Sequence, residues 1–104
     1  MIVEERIYTL YPGKSAEYLR LYEEEGLEVQ KRILGRMVGY FTTEIGPLNQ
    51  IIHMWGYDNF EERTRRRAEM NADPGWQAYL GKIRPLIVSQ ESKILLPTSF
   101  SPIR

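Results

Sequence analysis

Met37-Val38-Gly39-Tyr40-Phe41-Thr42-Thr43-Glu44-Ile45, then Gly46-Pro47-Leu48, then Asn49-Gln50-Ile51-Ile52-His53-Met54-Trp55-Gly56-Tyr57 is the stretch that decides the fold. The two outer runs are rich in β-branched and aromatic residues, and the Gly-Pro-Leu between them has hairpin-loop length. Strands are therefore expected at 37–45 and 49–57, paired antiparallel. Asp58 follows at once, with Glu61 three residues on, which is a capping-box spacing. A helix is expected from there to about Met70.

Outward from this hairpin the pattern completes itself. Ile2 to Tyr11 alternates and ends at the turn signal Pro12-Gly13, so it reads as the first strand. Period two puts Glu4, Arg6, Tyr8 and Leu10 on one face and Val3, Glu5, Ile7, Thr9 and Tyr11 on the other. Ser15 is expected to cap a helix with the apolar stripe Leu19, Tyr22, Gly26, Val29 and Ile33, stopped by Gly35. Gly26 inside that helix implies close packing, since it costs about 1 kcal/mol against Ala. Asp73-Pro74 is a cap followed by a first-turn proline. The helix it starts should carry Trp76, Leu80, Ile83 and Ile87 inward and end or bend at Pro85. Ser92 to Leu96 is expected as the last strand, closed by Pro97.

The order β-α-β-β-α-α-β is the ferredoxin-like split βαβ plan of the α+β class, a four-stranded antiparallel sheet with helices on one side. The chain of 104 residues reads as one domain spanning 1–104. Phe41, Ile45, Ile52, Met54, Ile94 and Leu96 are more strand hydrophobes than one sheet face can use. A second copy against the open face, a homodimer, is therefore expected. Which face meets the helices is not decided by the pattern, because both faces carry hydrophobes.

Composition narrows the function classes. Fourteen basic residues balance fourteen acidic ones, which argues against a general nucleic-acid binder. Cysteine is absent, which excludes disulfides, zinc-thiolate sites and cysteine nucleophiles. No run of about 20 apolar residues exists to span a membrane, and Met1-Ile2-Val3-Glu4-Glu5 is not a secretory leader. A cytoplasmic location is expected. No cofactor is implied, and one histidine among scattered carboxylates predicts no metal site.

The residues that can carry chemistry are few. His53 is the only histidine, mid-strand beside Trp55. It suits a general base or polar anchor in a cleft, or a core or interface histidine with its hydrogen bonds satisfied. Glu4, Arg6 and Tyr8 make a polar stripe on the first strand, which neighbours the third in this topology. Arg6 and Tyr8 beside His53 and Trp55 would suit a small anionic or aromatic ligand. The alternative is an Arg–Glu pair with a buried tyrosine. Arg63 and Arg67 share a helix face, with Phe60 and Thr64 close to the Arg67 side. They read as an anion clamp over the cleft, or as solvated residues paired with Glu61, Glu62 and Glu69. Trp76 reads as a core anchor or a pocket wall. The candidate ligand-binding set is Arg6, Tyr8, His53, Trp55 and Arg67, with His53 and Tyr8 as candidate catalytic residues.

Several of these segments together resemble one family. Glu4-x-Arg6-x-Tyr8-x-Leu10-x-Pro12-Gly13 resembles the opening signature of NIPSNAP proteins, as does Val38-Gly39-Tyr40-Phe41 followed by Gly46-Pro47-Leu48-Asn49. His53-Met54-Trp55-x-Tyr57, Glu62-Arg63 with Arg67, Asp73-Pro74-x-Trp76, Leu95-Leu96-Pro97-Thr98 and Phe100-Ser101-Pro102 resemble later segments of its short bacterial type, in order. The resemblance implies a dimeric α-β barrel, two ferredoxin-like protomers joined through their sheets. It implies little about chemistry. A homodimeric small-molecule binding domain is the first expectation. A cofactor-independent monooxygenase or isomerase of that barrel type is the second, and a protein-interaction module the third.

Overall fold

β1 (Ile2–Leu10) lies in the middle of the sheet, between β3 (Gln50–Tyr57) and β4 (Ile87–Leu95), with β2 (Arg36–Thr42) outside β3. All pairings are antiparallel. The computed structural model describes all 104 residues. Between β1 and β2 the chain forms α1 (Ser15–Leu21), a π-helical turn (Tyr22–Gly26) and α2 (Leu27–Leu34). Between β3 and β4 it forms α3 (Phe60–Ala72), α4 (Pro74–Ile83) and a 3₁₀ turn (Arg84–Leu86). This is the expected split βαβ, ferredoxin-like sheet with its helices on one face.

The register settles which face that is. Arg6 lies opposite His53, Glu4 opposite Trp55 and Tyr8 opposite Ile51. This face packs on the helices, and Glu4, Tyr8, Ile51, His53, Trp55 and Tyr57 are all buried. Tyr18, Leu34, Met70, Tyr79 and Ile83 close over them from the helices, each such burial contributing about 1.5–3 kcal/mol. The opposite face carries Ile7 across from Ile52 and Ile52 across from Phe41. Phe41 is 54% exposed there.

Local signals were right in kind and shifted in place. Lys14, not Ser15, is the cap residue of α1, and it makes no side-chain cap bond. The cap of α3 is Asn59 rather than Asp58: Asn59 Oδ1 accepts from the Glu62 amide at 2.8 Å, and Glu62 Oε2 accepts from the Asp58 amide at 2.6 Å. The sequence Asp58-Asn59-Phe60-Glu61-Glu62 holds the box spacing twice, so local chemistry cannot choose between them. Asp73 caps α4 as expected, accepting from the Trp76 amide at 2.9 Å. Gly35 ends α2 at φ +88°, a conformation glycine adopts freely.

Three boundaries differ more. β2 stops at Thr42, and residues 43–49 form the connection, with Ile45 93% exposed. β4 starts at Ile87, not Ser92, and Ser89, Gln90 and Glu91 pair with β1. An edge strand with an exposed face needs no apolar alternation, so its first half carried no pattern. Finally, the π turn widens the helix by a residue. After it the inward positions are Gln30, Ile33 and Leu34, while Val29 is only half-buried. Gly26 sits in this turn against α4, where a Cβ would lie 2.9 Å from Tyr79 Cζ and 3.0 Å from Tyr22 Cδ1.

Candidate functional site

Glu4 is the hub of the polar face. Its side chain is fully buried. Arg63 grips it with two bonds, Nε to Oε1 at 3.0 Å and Nη2 to Oε2 at 2.8 Å. Arg6 Nη1 donates to Oε2 at 3.0 Å, and Ser92 Oγ does so at 2.6 Å. Burial alone would raise the carboxyl pKa, but the Arg63 and Ser92 hydrogen bonds and the Arg6 and Arg67 charges outweigh it. The group is held at about 2, against an ordinary 4.5.

One carboxylate thus faces three guanidinium groups. Arg67 Nη1 stands 3.9 Å from Glu4 Oε1, too far for a hydrogen bond, and this buried nitrogen has no hydrogen-bond partner. Arg6 Nε donates to the Tyr8 hydroxyl at 3.0 Å, which leaves the Tyr8 proton for an outside acceptor. Arg6, Tyr8 and Arg67 open onto a cavity of about 380 Å³ between β1, β4 and the helices. Arg84, Gln30 and Trp76 also line it, and Met70, Leu80, Ile83 and Ile87 supply its apolar wall. No carboxylate lines it. Chemically it is a half-apolar pocket whose polar end can receive negative charge.

His53 and Trp55 lie elsewhere. Both are buried and neither lines the cavity, which corrects their place in the candidate set. His53 Nδ1 accepts from Trp55 Nε1 at 2.7 Å. Its ring stacks on Tyr40 at 4.8 Å and meets the edge of Tyr8 at 4.9 Å. Burial first, then the Arg6 charge, lowers its pKa to about 3 against an opposing pull from Glu4. The ring is neutral, its Nδ1 lone pair is taken by the indole, and Nε2 bears the proton and has no partner. It therefore offers no free lone pair to act as a general base. Tyr8 alone of the two catalytic candidates reaches the cavity.

The arginine run divides. Arg66 takes an intrahelical partner, Glu62, at 2.8 Å, and also donates to the Ile33 carbonyl at 2.9 Å. Arg63 and Arg67 turn to the sheet. Phe60 and Thr64, expected beside the inward face, are exposed, and Met70 is the buried residue of this helix. Trp76 is both a core residue at 5% exposure and a wall of the cavity. Gln30 and Arg84 had no sequence signal. The π turn moved Gln30 inward, and Arg84 reaches the cavity only through the turn after α4.

A family model described as NIPSNAP matches residues 3–102. The chain belongs to the NIPSNAP family. A NIPSNAP family crystal structure from Agrobacterium tumefaciens is 53% identical, covers 99% of this chain and 98% of that one, and superposes with a TM-score of 0.97. A NIPSNAP-like domain protein from Burkholderia xenovorans is 55% identical over 97% of this chain and 88% of that one, with a TM-score of 0.94. Human NipSnap homolog 3A is 37% identical over 88% of this chain, which spans 37% of that protein. The Dictyostelium discoideum NipSnap homolog is 36% identical over 90% of this chain, which spans 41% of that protein. This NIPSNAP chain thus spans less than half the length of these curated relatives. An antibiotic biosynthesis monooxygenase shares the fold alone, with 12% identity over 94% of this chain and 99% of that one and a TM-score of 0.67. No helix of this NIPSNAP fold is long and apolar enough to cross a membrane.

Proposed function

We propose that this NIPSNAP domain binds a small anionic organic molecule in the cavity beside β1, and works as a homodimer joined through the open sheet face. The observation that carries the first part is the cavity lining: three arginines and no carboxylate against an apolar wall. The volume of about 380 Å³ is in the range of small-molecule sites. The ligand's charge meets Arg67 and Arg6, whose guanidinium forks suit a carboxylate. Its body lies against Trp76, Leu80 and Ile83.

Titration calorimetry with 4-isopropylbenzoate and its uncharged amide, 4-isopropylbenzamide, tests this reading. The acid should bind at least tenfold tighter than the amide, because a charge-assisted hydrogen bond contributes about 1.5–3 kcal/mol. Arg67→Met should remove most of that preference. Equal affinity for the two probes, or an unchanged preference in Arg67→Met, overturns it.

The homodimer rests on the apolar residues of the uncovered face. Phe41 is 54% exposed there, and Leu95 and Leu96, exposed at 39% and 73%, line a groove of about 320 Å³ together with Val3, Val38, Met54 and the chain's own Ile103. Water contact there is costly, and a second sheet would relieve it. Light scattering should give twice the chain mass at micromolar concentration, and Ile52→Lys should halve it. A monomer mass for the unaltered protein rejects the dimer.

A further inference from the structure

Gln30 is a buried polar residue, 2% exposed, that the charge argument does not use. It follows the π turn and lines the same cavity as Arg6 and Arg67. Its carboxamide is not free to turn. Tyr22 Oη donates to Gln30 Oε1 at 2.7 Å, and Tyr22 is itself held by stacking on Tyr40 at 4.5 Å and 22°. Burial pushes the Tyr22 hydroxyl far above its ordinary pKa, so it keeps the proton that it donates to Oε1. With Oε1 turned to Tyr22, the amide nitrogen is the end of the carboxamide left for the cavity. A neutral side chain is thereby fixed as a hydrogen-bond donor, in a pocket whose charged groups are also donors.

We infer that the ligand carries, besides its anionic group, a second and neutral hydrogen-bond acceptor, a carbonyl or ether oxygen, which Gln30 Nε2 meets. The class is a small organic acid with an oxo or ether group on an otherwise apolar body. This rests on the cavity being an anion site. Tyr22 is the positioning residue, since its hydroxyl decides which end of the carboxamide faces inward. A ligand without the acceptor leaves a desolvated donor unpaired, which disfavours it.

Calorimetry with 4-acetylbenzoate and 4-isopropylbenzoate, near-isosteric acids that differ in one carbonyl oxygen, tests the inference. The acetyl acid should bind at least tenfold tighter, although the isopropyl acid is the more apolar. Gln30→Met should abolish the preference, the affinity for 4-acetylbenzoate falling at least tenfold toward that for 4-isopropylbenzoate, as expected when the donor is lost. Tyr22→Phe keeps Gln30 but releases its carboxamide, and should reduce the preference without removing binding. It serves if Gln30→Met does not fold. Equal affinity of the unaltered protein for the two acids overturns the role of Gln30 and leaves the anion site standing. A preference that survives both substitutions also overturns it. Failure of both acids to bind at millimolar concentration overturns the anion site and this inference together.

Discussion

Replacing Glu4 by glutamine keeps the shape of the hub and removes its charge. The folded carboxyl ionises at about 2 instead of 4.5, and each pH unit of difference corresponds to about 1.4 kcal/mol, so the ionised group favours folding by about 3 kcal/mol at neutral pH. Solvent does not screen this away, because the side chain is fully buried. The sign follows from the depressed folded value. The contribution is complete above about pH 4.5, where the unfolded chain is also ionised, and is lost as pH falls toward 2. Glu4→Gln should therefore unfold about 3 kcal/mol more easily at pH 7, and melt roughly 10–25 °C lower for a domain of this size. Urea denaturation followed by the fluorescence of Trp55 and Trp76, at fixed protein concentration, measures the difference between the two proteins. That difference should shrink steadily from pH 4.5 to 2.5. A difference below 1 kcal/mol at pH 7, or one equally large at pH 3, refutes the reading of Glu4 as the charge that holds Arg6 and Arg63 in place.

Three further outcomes test other parts of the structure. Folded His53 titrates at about 3 and an unfolded histidine near 6.5, so stability falls as pH drops through that window. His53→Phe should flatten the part of the decline between pH 6.5 and 4.5. Nitrogen-15 spectra should show the Nε2-protonated neutral ring from pH 8 to 5, and an imidazolium signal at pH 5 contradicts the buried site. Gly26→Ala places a Cβ 2.9 Å from Tyr79 Cζ. The overpacking cost of about 1–3 kcal/mol should exceed the roughly 1 kcal/mol that alanine gains in a helix, so a thermal melt at or above that of the unaltered protein counts against it.

Much of this protein was readable from residue order alone. The alternation of β1 and β3, the Asp73-Pro74 start of α4 and the stop at Gly35 are local effects of side-chain shape and backbone freedom, whereas Gly26 signalled a close approach without naming the Tyr79 ring it meets. Arg6, Tyr8 and Arg67 were recognisable as site candidates because polar side chains set among strand and helix hydrophobes must find partners. Depth was not readable. Period two pairs His53 with Trp55 and Arg6 with Tyr8, but it does not say that the two pairs share a face, which the β1–β3 register sets, nor which positions helices will seal and which will border a gap. Only the packing of the helices decided that, placing His53 between Tyr8 and Tyr40 and leaving Arg6 at the cavity. The first half of β4 was hidden because an edge strand is held by backbone bonds rather than by its side chains. Gln30 was hidden because the π turn changes the helical phase, and nothing in Glu23-Glu24-Glu25-Gly26 announces a wider turn until Tyr79 is packed against it.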